Sequence, residues 1–98
     1  MSETGCRIDV WLWRARFAKT RSLAAAMVEA GAVRLTHHGV QTRLDKPSRS
    51  VHVGDTLVFA LGGRLVGLEV LQTGERRGRS EEARALYSAV GSEPPTGG

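Results

Sequence analysis

The sequence of 98 residues has a single cysteine and no long apolar run. Cys6 has no second cysteine to pair with, so an internal disulfide is excluded and a reducing compartment is expected. No apolar stretch approaches the roughly 18 residues that a transmembrane helix needs. Residues 1–10 lack the basic and then apolar pattern of a signal peptide. We therefore expect a cytoplasmic protein without a membrane partner.

Residue patterns typical of catalysis are also missing. Neither common phosphate-binding glycine loop is present. The aspartates Asp9, Asp45 and Asp55 stand singly, in local settings that offer no second group for acid–base chemistry. Two adjacent histidines on a turn, His37 and His38, cannot easily converge on one ion without further ligands. We predict that the protein is not an enzyme and uses no metal or cofactor.

Positive charge is concentrated near the start of the chain. The formal net charge is +4, and residues 7–34 carry all of it, with six basic side chains against two acidic ones. Three aromatic residues, Trp11, Trp13 and Phe17, lie among these cations. This combination is typical of a nucleic-acid partner, although most charged runs are ordinary solvated faces. The basic residues are Arg7, Arg14, Arg16, Lys19, Arg21 and Arg34.

Apolar spacing and end signals predict two short helices in this window. Apolar residues from Ile8 to Ala15 recur at i, i+3, i+4 and i+7, which predicts an amphipathic helix with Trp11 in the core. Thr20 is a good N-cap for a second helix. Gly31 suits the left-handed residue that ends a helix, so the second helix should run to Ala30.

The rest of the chain favours strands. Residues 32–36, 40–44, 56–61 and 64–73 have strand character, and Gly62-Gly63 predicts a tight hairpin between the last two. Gly67 marks a bulge in the second strand of that hairpin. A basic loop at 74–79 then leads to a helix capped by Ser80, in which Leu86 and Val90 make a small apolar contact.

An ordered set of short motifs resembles the S4 RNA-binding domain. The set comprises Arg7-Ile8-Asp9, Trp11-Leu12, Phe17-Ala18-Lys19-Thr20-Arg21, Gly31-x-Val33-Arg34, Lys46-Pro47-Ser48 and Val53-Gly54-Asp55. Among S4 proteins, residues 11–17 (WLWRARF) and 75–78 (ERRG) resemble the bacterial ribosome-associated heat shock protein 15 family.

This resemblance implies an α+β fold of the S4 type (the alpha-L motif), with two N-terminal helices on a small antiparallel sheet and a short C-terminal helix. The implied domains are a flexible start (1–6), the S4 domain (7–73), a basic loop with a C-terminal helix (74–90) and a disordered tail (91–98). The implied partners are ribosomal RNA of the large subunit and tRNA. The implied role is rescue or recycling of large subunits that carry stalled peptidyl-tRNA under stress, by a protein that is monomeric off the ribosome.

The resemblance also implies an RNA face. Asp9 suits a different role in it, holding an arginine such as Arg21 in its binding pose. The path from Gly31 to Lys46 is roughly four residues longer than usual, which predicts an extended hairpin over 36–45. The implied contacts are Arg7, Arg14, Lys19, Thr20, Arg21 and Arg34, with further contacts from Asp9, Arg16, Lys46, Arg76, Arg77 and Arg79.

Three alternatives stay open. Within the same class, the protein could be an S4 cofactor that assists tailing of a stalled nascent chain. A helix-turn-helix DNA-binding regulator would expose polar, base-reading side chains along the second helix, whereas residues 21–30 offer mainly Ala, Leu, Met and Val. A chaperone-type interaction module would instead expose a large apolar patch.

Overall fold

The computed structural model describes residues 5–74 and 78–90. Within these residues the chain forms three short helices and seven strands, in an order that confirms the α+β class. The elements are β1 (Cys6–Arg7), α1 (Ile8–Arg14), α2 (Arg21–Glu29), β2 (Val33–His37), β3 (Val40–Leu44), β4 (Ser50–Val51), β5 (Thr56–Leu61), β6 (Arg64–Val70), α3 (Ser80–Arg84) and β7 (Tyr87–Ala89).

Five strands form one antiparallel sheet in the order β3-β2-β5-β6-β7. The short strands β1 and β4 pair separately, with Cys6 opposite Val51. The hairpin between β5 and β6 turns at Gly62 and Gly63, whose φ angles are 61° and 83°. Two consecutive positive φ values are what a tight primed turn requires, so this hairpin is as predicted.

The two N-terminal helices and one face of the sheet enclose the core. Trp11 is fully buried, as predicted, and its indole N–H donates to the carbonyl oxygen of Gln72 at 2.9 Å. Phe17 packs against Phe59 and Tyr87 with ring centroids 5.2 and 4.8 Å apart. Because Phe17 lies between α1 and α2, these contacts fix the connector onto the sheet.

Both N-terminal helices end in the same way. In each, the residue after the C-cap has a positive φ, 66° at Arg16 and 76° at Gly31. The N–H of the following residue then closes the turn. The Phe17 N–H donates to the Leu12 carbonyl at 2.9 Å, and the Ala32 N–H donates to the Met27 carbonyl at 3.3 Å. These are Schellman motifs. The sequence predicted the left-handed Gly31 at the end of α2, but it did not predict a left-handed Arg16 at the end of α1.

Three strand predictions need correction. Cys6, expected in a flexible start, is paired in β1 because β4 offers it a backbone partner. Gly67 is opposite Val58 in a continuous ladder, so it marks no bulge. The second hairpin strand ends at Val70 rather than at residue 73.

The C-terminal region also differs from the prediction. The N-cap of α3 is Arg79, because the N–H of Ala83 donates to the Arg79 carbonyl and closes the first turn one residue early. The helix ends at Arg84, and β7 follows where the helix was expected to continue. The Leu86 carbonyl accepts from the Leu71 N–H at 2.8 Å, which draws the chain onto the edge of β6. Residues 1–4, 75–77 and 91–98, which include most of the predicted flexible start and all of the predicted disordered tail, lie outside the described residues.

In the described part of the chain, no helix has the length and apolar character needed to cross a membrane.

Candidate nucleic-acid interface

The start of α1 is anchored on the loop between β3 and β4. The N–H of Ile8 donates to the carbonyl oxygen of Arg49 at 2.8 Å, and the N–H of Asp9 donates to that of Pro47 at 3.3 Å. The first N–H groups of a helix lack partners within it, so the loop supplies them here. The Arg49 N–H donates to the Lys46 carbonyl at 3.0 Å, which turns the loop tightly. Both loop cations are therefore held beside the helix start.

Arg7 and Asp9 form a bidentate ion pair at the same place. The Nε and Nη2 groups of Arg7 donate to the two carboxylate oxygens of Asp9 at 3.1 and 2.9 Å. The Arg7 side chain is half exposed, whereas Asp9 is buried. Asp9 therefore holds an arginine as expected, but the arginine is Arg7 and not Arg21. The corner between β1 and α1 places residues 7 and 9 side by side.

The start of α2 brings a second group of polar side chains to this region. Thr20 caps the helix, with its hydroxyl accepting the Leu23 N–H at 3.0 Å. Lys19, Thr20 and Arg21 are all exposed. Burial raises the pKa of the nearby Cys6 thiol above its ordinary value, while the charges of Arg14 and Arg21 act in the opposite direction. The Arg21 charge thus acts on Cys6, the residue before Arg7, and α1 and α2 pack against each other.

We call this region the N-terminal basic surface. It joins cations from the two helix starts with cations from the loop that anchors α1. All of its members are exposed: Arg7, Lys19, Thr20, Arg21, Lys46 and Arg49. Arg49 was missed because its sequence neighbours give no helical or strand pattern. Its position directly after the recognised motif Lys46-Pro47-Ser48 was the available signal.

Arg14 has a different setting from the other predicted contacts. Its Nη1 group donates to the carbonyl oxygens of Gly74 at 2.8 Å and Thr73 at 3.3 Å, and to the Cys6 sulfur at 3.5 Å. Its Nε is buried without a hydrogen-bond partner among the described residues. Arg14 was expected to present its charge to a partner. Instead it ties α1 to the segment that follows β6.

The predicted further contacts are dispersed. Arg16 is exposed, but its Nε donates to the Gly78 carbonyl at 2.9 Å, and this bond secures the segment before α3. Arg79 is exposed at the start of α3. Arg76 and Arg77 lie outside the described residues.

Arg34 is on the opposite face of the sheet. Its neighbours Val33 and Leu35 point into the core, so alternation along β2 places Arg34 on the outer face. There it is directly opposite Arg43 of β3. The structure therefore does not bring Arg34 together with the N-terminal basic surface. We call Arg34 and Arg43 the hairpin arginine pair.

Comparison with known proteins places this geometry in a family. Residues 6–35 match the family model of the S4 domain. A solved structure of Vibrio cholerae heat shock protein 15, described as trimeric, superposes with a TM-score of 0.78 and 37% sequence identity. The match covers 89% of this chain and 83% of that one. The chain belongs to the heat shock protein 15 family. The predicted family and the S4-type fold are thereby confirmed.

Curated relatives extend beyond the matched region. The heat shock protein 15 homolog of Haemophilus influenzae is 38% identical over 92 residues, which are 94% of this chain and 66% of the relative. Heat shock protein 15 of Escherichia coli K12 is 41% identical over 81 residues, which are 83% of this chain and 57% of the relative. The chain thus spans 66% and 57% of the lengths of these two relatives.

The helix-turn-helix alternative fits neither the family nor α2. A recognition helix exposes polar side chains that can read base edges. The exposed residues of α2 are polar at its two ends, at Arg21, Ser22 and Glu29, but apolar between them, at Leu23 and Ala26. Its buried positions, Ala24 and Val28, face the core. The middle of the exposed face therefore offers no polar side chain to discriminate bases.

Proposed function

We propose that this protein binds structured ribosomal RNA through the N-terminal basic surface. The observation that carries the proposal is the set of exposed cations at the starts of two helices that pack together and on the loop that anchors α1. Membership of the heat shock protein 15 family and the S4 match over residues 6–35 support it. Clustered cations bind nucleic acid by neutralising phosphates and releasing counterions, and this needs no particular base sequence.

Arg7 is the preorganised member of this surface. Two of its three guanidinium nitrogens donate to Asp9, which fixes the plane of the group at the surface. The Nη1 edge makes no hydrogen bond to the described residues and is the part that would meet a phosphate. A side chain that is already ordered loses less conformational entropy on binding. Arg7 should thus contribute more per charge than Lys19 or Lys46.

The hairpin arginine pair provides a second contact on the other face of the sheet. Arg34 and Arg43 are directly opposite each other in antiparallel strands, and like charges in this arrangement repel. A phosphate placed between them would relieve that repulsion. An RNA that reached both surfaces would have to pass around the edge strand β3, so a folded RNA suits the protein better than a short single strand.

On the ribosome, we propose that the target is the large subunit carrying a stalled peptidyl-tRNA, and that binding helps its rescue or recycling. This step rests on the family resemblance, which also includes tRNA among the partners. The protein acts as a binding partner and not as an enzyme in this proposal. We expect a monomer off the ribosome, which gel filtration with light scattering would distinguish from a trimer.

Salt dependence tests the RNA surface. Affinity for a fluorescent ribosomal RNA fragment is measured over a range of salt concentrations for the wild type, for Arg21→Gln with Arg49→Gln, and for the control Arg84→Gln on α3. The slope of log K against log salt is negative, and each lost phosphate contact reduces its magnitude by ~0.9 in a duplex. We expect the magnitude of the slope to be smaller by about 1.5 to 2 in the double variant than in the wild type. An unchanged slope would place the RNA elsewhere on the protein.

Cosedimentation tests the ribosomal role separately. Purified bacterial large subunits are prepared with and without peptidyl-tRNA and incubated with the protein. We expect more protein to sediment with the loaded subunits. Equal sedimentation with both would reject the rescue proposal and leave ribosomal RNA binding intact.

A further inference from the structure

Three side chains that can bind metal ions converge near the hairpin that β2 and β3 form. Possible ligand atoms of His37, His52 and Asp55 all lie within 4.8 Å of one another. The Nδ1 atom of His37 is 2.5 Å from one oxygen of Asp55, and the Nδ1 atom of His52 is 3.9 Å from the other. Each imidazole thus lies next to a different oxygen of the Asp55 carboxylate.

The sheet register builds this cluster. β2 and β5 pair with Thr36 opposite Thr56, and the same antiparallel register places His37 opposite Asp55 one step further. A tight turn then adds His52: its N–H donates to the Asp55 carboxylate at 2.9 Å, and the Asp55 N–H donates to its carbonyl at 3.0 Å. The sequence favoured no metal because nothing in it indicates that Asp55 lies beside His37 and His52. His52 and Asp55 lie 15 and 18 positions after His37 in the sequence.

The donor set and its surroundings suit a divalent transition-metal ion. Two imidazole nitrogens and one carboxylate oxygen are a ligand set that Zn²⁺ uses, with a fourth position left for water. Asp55 is 3% exposed, so its carboxylate is already removed from bulk solvent, whereas both histidines are partly exposed. The cluster lines a cleft of about 640 Å³, which Ser48 and Ser50 also line. An ion can therefore reach the site without unfolding the sheet.

We propose that His37, His52 and Asp55 bind one Zn²⁺ ion, which ties the hairpin of β2 and β3 to the turn before β5. The ion takes the place of the hydrogen-bonding proton between the His37 Nδ1 atom and the Asp55 carboxylate, and that proton leaves to solvent. His38 is outside the ligand set and stacks on the His37 ring with centroids 3.9 Å apart. Arg49 also lines the cleft, and its positive charge opposes that of the ion, which lowers the affinity of the site.

Zinc titration of the whole chain, without RNA, tests the proposal independently of the proposed function. Affinity and stoichiometry are measured by competition with a chromophoric chelator. The variants are His37→Asn and His52→Asn, both at partly exposed positions, so the fold should survive. The matched control is His38→Asn, because asparagine tolerates the positive φ of 52° at that position. Cys6→Ser tests whether the thiol is the true ligand.

We expect one Zn²⁺ per chain, with affinity at least about tenfold weaker in each of His37→Asn and His52→Asn and changed less than about threefold in the two controls. Histidine side-chain NMR signals of residues 37 and 52 should shift with zinc. Circular dichroism verifies that each variant is folded. Substoichiometric binding, full affinity in both ligand variants, or a loss confined to Cys6→Ser would overturn the proposal.

Discussion

The guanidinium of Arg7 and the carboxylate of Asp9 lie edge to edge, two residues apart, across the corner where β1 becomes α1. The same carboxylate also accepts the Val10 N–H at 2.7 Å. Asp9 is buried and Arg7 is half exposed, so the pair connects the interior to the surface. An acidic residue in the centre of a basic surface therefore supports that surface instead of weakening it.

Asp9→Asn should loosen Arg7 without changing its charge. We expect the free energy of unfolding to fall by about 1–2 kcal/mol, because two charge-assisted hydrogen bonds are weakened. RNA affinity should fall by roughly three- to tenfold through the lost ordering of Arg7, with the salt slope unchanged. Urea denaturation and salt-dependent binding check the two parts. Arg7→Gln is the matched comparison, and it should lower the slope as well.

Arg14→Met should act on stability and not on the RNA slope. It removes the bonds to the Thr73 and Gly74 carbonyls, so we expect a loss of about 2 kcal/mol in the free energy of unfolding. The salt slope of RNA binding should match that of the wild type. A slope reduced as much as in Arg21→Gln would show that Arg14 contacts phosphate after all.

Substitutions at Arg16 separate backbone strain from the side-chain bond. Arg16→Gly and Arg16→Ala both lose the bond to the Gly78 carbonyl, but only alanine keeps a Cβ at a φ of 66°. The glycine variant should therefore be more stable than the alanine variant by about 1 kcal/mol. Thermal or urea unfolding of the two variants measures this difference. Equal stability would mean that the left-handed position is unstrained.

Cys6 should react slowly with alkylating reagents near pH 8. Burial raises the pKa of its thiol, so the folded protein holds less of the reactive thiolate than the unfolded chain does. The alkylation rate should rise as the pH increases above 9, and the chain unfolded in urea should react faster at pH 8. Arg21→Gln should slow the folded protein further, because it removes a positive charge that favours the thiolate. A faster rate in that variant would contradict this account.

Local signals in the sequence predicted the elements that local chemistry determines. The Thr20 cap, the Gly31 helix end and the Gly62-Gly63 turn each act over a few residues, and the structure shows all three. The strand β7 was missed because it has three residues, too few for a periodic pattern, and depends on pairing with β6. Short strands of this kind are determined by the partner they meet.

The candidate site was predictable only where its residues are close in sequence. The cations at the two helix starts came from one continuous window. By contrast, Arg14 donates to carbonyl oxygens about 60 positions away in the sequence. Arg34 does not belong to the N-terminal basic surface because alternation along β2 places it on the outer face of the sheet. His37 and Asp55 likewise meet through a register that no local signal specifies. A contact between strands can be predicted only when it is known which strands pair and in which register.

The anchoring of α1 on the loop that follows β3 has a consequence for how this fold can vary. The loop is held by backbone hydrogen bonds from Ile8 and Asp9, so the position of Lys46 does not depend on the length of the hairpin before it. The tip at His38 and Gly39 can therefore lengthen or accept an inserted peptide while the basic surface keeps its shape. The hairpin tip is therefore a position that tolerates insertions, where a new contact can be added without disturbing the N-terminal basic surface.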